Sequence, residues 1–96
     1  MQRLVLVTSN ERFTEYARKK GCNIVETRDI GNARVFIVVP ADMTYAELLE
    51  MVGLYCITTG DKVSAEIMSA RMCVNRYPLR PEEMRMIVGE DEEGQG

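Results

Sequence analysis

The chain has 96 residues, of which 46% are hydrophobic and 28% are charged, a composition typical of one globular domain. Its net charge of -3 argues against a protein that works mainly by neutralising nucleic-acid phosphates or anionic lipid, so nucleic acid is an unexpected partner. The absence of histidine excludes Ser-His-Asp and Cys-His catalysis, and three isolated cysteines are a poor ligand set, so we expect no metal and no cofactor.

The cysteines also bear on the cellular location. Cys22, Cys56 and Cys73 are odd in number and form no CxxC pair, as is usual in a reducing compartment. The first apolar run, Leu4 to Val7, is too short for a signal-peptide core or a membrane span. We therefore expect a cytoplasmic protein with no membrane contact.

The first predicted unit is a strand followed by a helix. Leu4 to Val7 is a continuous apolar run, which is typical of a strand covered on both faces. Thr8 and Glu11 have the spacing of a capping box, and Gly21 follows two lysines at the expected helix end. The buried face of this helix is predicted from three residues at i, i+3 and i+4: Phe13, Tyr16 and Ala17.

Two further strands are predicted next. Cys22 to Thr27 is most simply placed parallel to the first strand through a right-handed crossover. Val35 to Val39 is the strongest strand signal in the chain and ends at Pro40. The short connection between these two strands favours an antiparallel hairpin, because a parallel return needs about a dozen residues. The predicted sheet is therefore mixed.

The middle of the chain repeats the pattern of helix, strand and helix. Thr44 and Glu47 form a second capping box, and Gly53 is the expected end of that helix. Leu54 to Ile57 is another continuous apolar run and is predicted to be a strand. A helix is then expected from Asp61 to about Met72.

The last predicted element begins at Pro81, a favourable first helical residue, although Met84 to Val88 could instead form a last strand. Residues 90–96 form an acidic tail that we expect to be disordered. The sequence thus predicts an α/β fold: a single compact domain over residues 1–89, with a mixed, mostly parallel sheet of about four strands and three to four helices.

Two polar turns, at residues 8–11 and 58–62, each follow an apolar run. In an open α/β sheet, ligands bind outside the carboxyl ends of parallel strands, so these turns are candidates for binding a phosphate or carboxylate group. Helix capping alone also explains them. The candidate ligand-binding residues are Thr8, Ser9, Asn10, Thr58, Thr59, Asp61 and Lys62.

A second candidate site is a surface rich in methionine and arginine in the C-terminal third of the chain. Methionine adapts to irregular contacts, and clustered arginines favour an acidic partner, although both also occur as core filling and as scattered solvent residues. The residues of this surface are Met68, Arg71, Met72, Arg76, Arg80 and Arg85.

Three functions are compatible with these patterns. The favoured one is a non-catalytic module that binds a protein partner or itself, with a homodimer expected. The alternative is a module that binds a small anionic ligand at the two turns. The weakest is magnesium-dependent nucleic-acid cleavage through Asp42 and Asp61 with Asp29 or Glu11, which leaves enzymatic activity open.

Overall fold

The computed structural model describes residues 3–27 and 33–89. Asp29 and the acidic tail at 90–96 lie outside these ranges. The described part of the chain contains four strands and four helices. In chain order they are β1 (Leu4–Thr8), α1 (Glu11–Lys19), β2 (Asn23–Glu26), β3 (Phe36–Val39), α2 (Tyr45–Thr59), β4 (Ala65–Ser69), α3 (Ala70–Arg76) and α4 (Pro81–Val88).

The four strands form one antiparallel sheet in the order β2-β3-β1-β4. Leu6 of β1 lies opposite Val38 on one side and Ile67 on the other. The predicted α/β class, strand number and helix number are confirmed, but the prediction of a mostly parallel sheet is wrong. β1 and β2 do run in the same direction, yet β3 is inserted between them and pairs with both.

The first six elements follow the order β-α-β-β-α-β, and the strand between β1 and β2 makes this a split β-α-β arrangement, called ferredoxin-like. The β2–β3 hairpin is antiparallel, as its short connection predicts. Folds of this kind carry many unrelated functions, so the topology by itself identifies none.

The sheet is covered on both faces. On one side, Leu6 and Val38 pack with residues of α1 and α2, including Phe13 and Leu48. On the other side, the alternate strand residues pack with α3 and α4, where Ile87 is fully buried. This arrangement explains the continuous apolar runs in β1 and β3, because successive residues of a strand point to opposite faces and here both faces are core.

The helix ends confirm two predicted signals and correct one. The capping box of Thr44 and Glu47 is present at the start of α2, and Pro81 is the first residue of α4, which is a helix. At α1, however, the cap is Asn10, whose Oδ1 accepts from the backbone N–H of Phe13 at 2.9 Å. Thr8 still belongs to β1, and its hydroxyl accepts from the N–H of Asn10 instead.

The largest correction concerns α2. The predicted strand at Leu54 to Ile57 is the last part of this 15-residue helix, and Gly53 lies inside the helix rather than at its end. The helix ends at Gly60, which has the positive φ of 74° that favours glycine. Sequence periodicity cannot separate a short apolar run in a helix from a buried strand, which is why the strand prediction is wrong here.

The predicted helix from Asp61 to Met72 is also wrong. Residues 61–64 form a loop, Ala65–Ser69 is the edge strand β4, and only then does α3 begin. β4 pairs with β1 alone, and its first two residues are exposed. Ile67 and Met68 pack on opposite faces of the sheet, so its apolar residues do not alternate with polar ones. Of the helices in residues 3–27 and 33–89, none has the length and apolar character needed to cross a membrane.

Candidate functional site

The two predicted polar turns lie side by side. Asn10 Nδ2 donates to Asp61 Oδ2 at 3.2 Å and to the carbonyl oxygen of Lys62 at 2.9 Å. The hydroxyls of Ser9 and Ser64 are 3.5 Å apart. The sheet explains this placement, because β1 and β4 are antiparallel neighbours, so the end of β1 lies beside the start of β4. The second turn therefore precedes a strand rather than a helix.

Asp61 is the centre of this polar cluster. The hydroxyl of Tyr55 donates to Asp61 Oδ2 at 2.7 Å, and Arg12 Nη1 lies 3.7 Å from the same oxygen. The hydrogen bond from Tyr55, followed by that from Asn10, holds the pKa of Asp61 below its ordinary value. The same hydrogen bond to the carboxylate raises the pKa of Tyr55, because it stabilises the protonated phenol. Asp61 therefore stays ionised and Tyr55 stays neutral.

The hydrogen-bonding groups of this cluster are used within the protein. The side-chain oxygen of Asn10 caps α1 and its NH2 group reaches the loop after α2. Thr58 and Thr59 donate back to carbonyl oxygens of α2, and Thr8 is buried. Ser9 and Lys62 are exposed at the rim. The cluster thus ties α1, α2 and the start of β4 together.

A shallow depression of about 260 Å³ adjoins the Ser9 side of this cluster. Its polar groups are the hydroxyls of Thr8, Ser9, Ser64 and Tyr77 and the carboxylate of Glu66. Glu66 is paired with Arg76 at 3.0 Å. The lining contains no lysine or arginine, so a phosphate or carboxylate bound there would meet hydroxyls but no direct charge partner.

The carboxylates considered for magnesium do not come together. Asp42 precedes α2 and Asp61 follows it, so a helix of 15 residues, roughly 22 Å long, separates them. Glu11 is instead paired with Arg34. Within residues 3–27 and 33–89, no three carboxylate or thiolate groups are placed to share a metal ion, and Asp29 lies outside those ranges.

The predicted methionine and arginine surface is divided in the structure. Met68 is a core residue with 6% of its surface exposed, so it cannot contribute to a docking surface. Arg71 and Met72 are exposed on α3, and Arg85 is exposed on α4. Arg76 is paired with Glu66, and Arg80 lies just before α4. These side chains therefore belong to several elements rather than to one continuous helix face.

The most unusual surface of the molecule is on α2. Its buried side consists of Leu48, Met51 and Tyr55. The opposite side, which we call the α2 outer face, consists mostly of apolar or small residues, with the exposed carboxylate of Glu50 among them: Tyr45, Ala46, Leu49, Gly53, Leu54 and Ile57. Their exposed fractions are 55% for Tyr45, 50% for Leu49, 51% for Leu54 and 82% for Ile57. A surface helix usually carries charged or polar residues on this side.

Charge is nearly absent from α2. Its only ionisable acidic or basic side chains are Glu47 and Glu50, and the ten residues from Met51 to Gly60 carry none. A helix that is apolar on all sides is normally covered on all sides, whereas residues 3–27 and 33–89 cover α2 on one side only. An exposed apolar surface of this kind marks an interaction site more often than an ordinary surface does.

A groove of about 360 Å³ runs along the α1 side of the α2 outer face. It has an apolar floor that includes Met43, Met51 and Leu54, and a rim with three carboxylates, those of Asp42, Glu47 and Glu50. Lys20 is the one cation among its lining residues, and its Nζ lies 5.2 Å from the ring centroid of Tyr16. The groove extends the apolar area next to Leu54.

Sequence reasoning missed the α2 outer face, although the signal was present. Leu48, Met51 and Tyr55 have the i, i+3, i+7 spacing of one buried helix face, which leaves Leu49 and Ile57 on the other side.

Comparisons with models of protein families and with curated proteins give no match to this chain.

Proposed function

We propose that this protein is a non-catalytic α/β module that acts by binding protein through the α2 outer face. The observation that supports the proposal is the exposure of Ile57, Leu54 and Leu49 on a helix with no charge after Glu50. Apolar area left in water is unfavourable by about 25 cal/mol per Å², so covering this face would stabilise a complex.

The free thiols of Cys22 and Cys73 are in keeping with a cytoplasmic location, which is part of the proposal.

The α2 outer face supports this function better than the arginine-bearing surface does. Arg76 already has a carboxylate partner in Glu66. Exposed ion pairs and single exposed methionines are ordinary features of a protein surface and contribute little by themselves. Apolar residues on successive turns of one helix, by contrast, match the pattern of a helix that packs against another protein element.

A comparative binding experiment tests the proposed function. Ile57→Glu places a charge in the α2 outer face, and Met86→Glu is a matched control on α4, where Met86 is 44% exposed on the other side of the sheet. Partner proteins captured by the wild-type chain should be retained by Met86→Glu and lost by Ile57→Glu. Equal capture by the two variants would contradict the proposal.

The second candidate function is binding of a small anionic ligand at the polar turns. The observation in its favour is that the two turns lie together beside a depression: Asn10 donates to the carbonyl oxygen of Lys62, and the hydroxyls of Ser9 and Ser64 are 3.5 Å apart. The absence of a cation from that depression favours protein binding instead. A thermal-shift series with inorganic phosphate, nucleotides and dicarboxylates separates the two: a ligand at 100 times its Kd raises the stability by about 2.7 kcal/mol. A shift abolished by Lys62→Ala would favour the ligand site.

A further inference from the structure

We draw no further inference here: the strongest candidate, the α2 outer face together with the groove of about 360 Å³ beside it, carries none because nothing in the structure shows what covers it.

Discussion

Asn10 connects the start of α1 to the loop between α2 and β4 through one side chain. It caps α1 through Oδ1, and its NH2 group reaches Asp61 and the carbonyl oxygen of Lys62. Asn10→Ala should therefore lower the free energy of unfolding by about 1 to 2 kcal/mol, since a cap and two further hydrogen bonds are lost. Urea denaturation measures the change.

Asn10→Ser is the matched control for this prediction. Serine can cap the helix but is too short to reach the loop after α2, so its loss should lie between zero and that of Asn10→Ala. Equal stability of the wild type and Asn10→Ala would show that the contacts between Asn10 and the loop do not stabilise the fold.

Asp61 and Tyr55 give the stability a defined pH dependence. The pKa of Asp61 is lowered in the folded state, chiefly by the hydrogen bond from Tyr55, so the folded chain binds this proton less readily than the unfolded chain. The stabilisation is present above the ordinary aspartate pKa of about 3.9 and is lost as the pH falls through the lower folded value. The raised pKa of Tyr55 gives a stabilisation that is lost in strong alkali, above about pH 10.

The predicted result is a steeper fall in the free energy of unfolding for the wild type than for Asp61→Asn as the pH falls below about 4. Tyr55→Phe should reduce the slope in part, because Asn10 still donates to the carboxylate. Urea denaturation at several pH values measures these slopes. An Asp61→Asn variant with the wild-type slope would contradict the role of the cluster.

At the scale of the element, two neighbouring leucines of α2 report how the helix is oriented. Leu48 is fully buried between α2 and the sheet, and Leu49 points away from it. Leu48→Ala should lower the free energy of unfolding by about 2 to 5 kcal/mol, since it leaves a cavity. Leu49→Ala should change it by less than about 0.5 kcal/mol when the protein is dilute enough to be monomeric. Losses of similar size would mean that α2 is rotated from this orientation.

Two glycines of α2, Gly53 inside the helix and Gly60 at its C-cap, should respond to alanine in opposite directions. Gly53 has ordinary helical φ and open space, so Gly53→Ala should stabilise the monomer by about 0.5 to 1 kcal/mol. Gly60 has a φ of 74°, so Gly60→Ala should destabilise it by about 1 kcal/mol. Chemical denaturation in the Ile57→Glu background keeps association from obscuring the result. A Gly53→Ala monomer that is less stable would place Gly53 in a crowded site.

Helices that begin with a capping box or a proline are predictable from the sequence. The Thr44 and Glu47 box and Pro81 locate helix starts because the signal lies within one turn of the chain. Leu54 to Ile57 has no such signal, and its apolar run predicts a buried strand instead. The mistake is informative, because residues apolar enough to resemble a buried strand are half or more exposed at Leu54 and Ile57.

At the scale of the whole molecule, the sheet order was beyond the reach of local patterns. β1 pairs with β3 and β4, which lie far along the chain, and nothing within β1 specifies those partners. The contact between the two polar turns follows from the pairing of β1 with β4. From the sequence it can be proposed only on the condition that the strands beside the two turns are neighbours in the sheet. The α2 outer face depends on knowing which side of α2 the sheet covers, and that too is a tertiary property.

The two surfaces of the molecule differ in how fully their groups are paired. At the polar cluster, Asn10, Asp61 and Tyr55 satisfy one another. At the α2 outer face, Ile57 is 82% exposed and packs on little within the described residues. The first surface stabilises the monomer, and the second is the one that a binding partner would cover.

The most direct test of protein binding through the α2 outer face compares the proteins captured by wild type, by Ile57→Glu and by the Met86→Glu control. Wild type and the control should capture the same proteins, whereas Ile57→Glu should lose them while its far-ultraviolet circular dichroism spectrum stays unchanged. Equal capture by all three chains, or a loss that Met86→Glu shares, would contradict binding through this face.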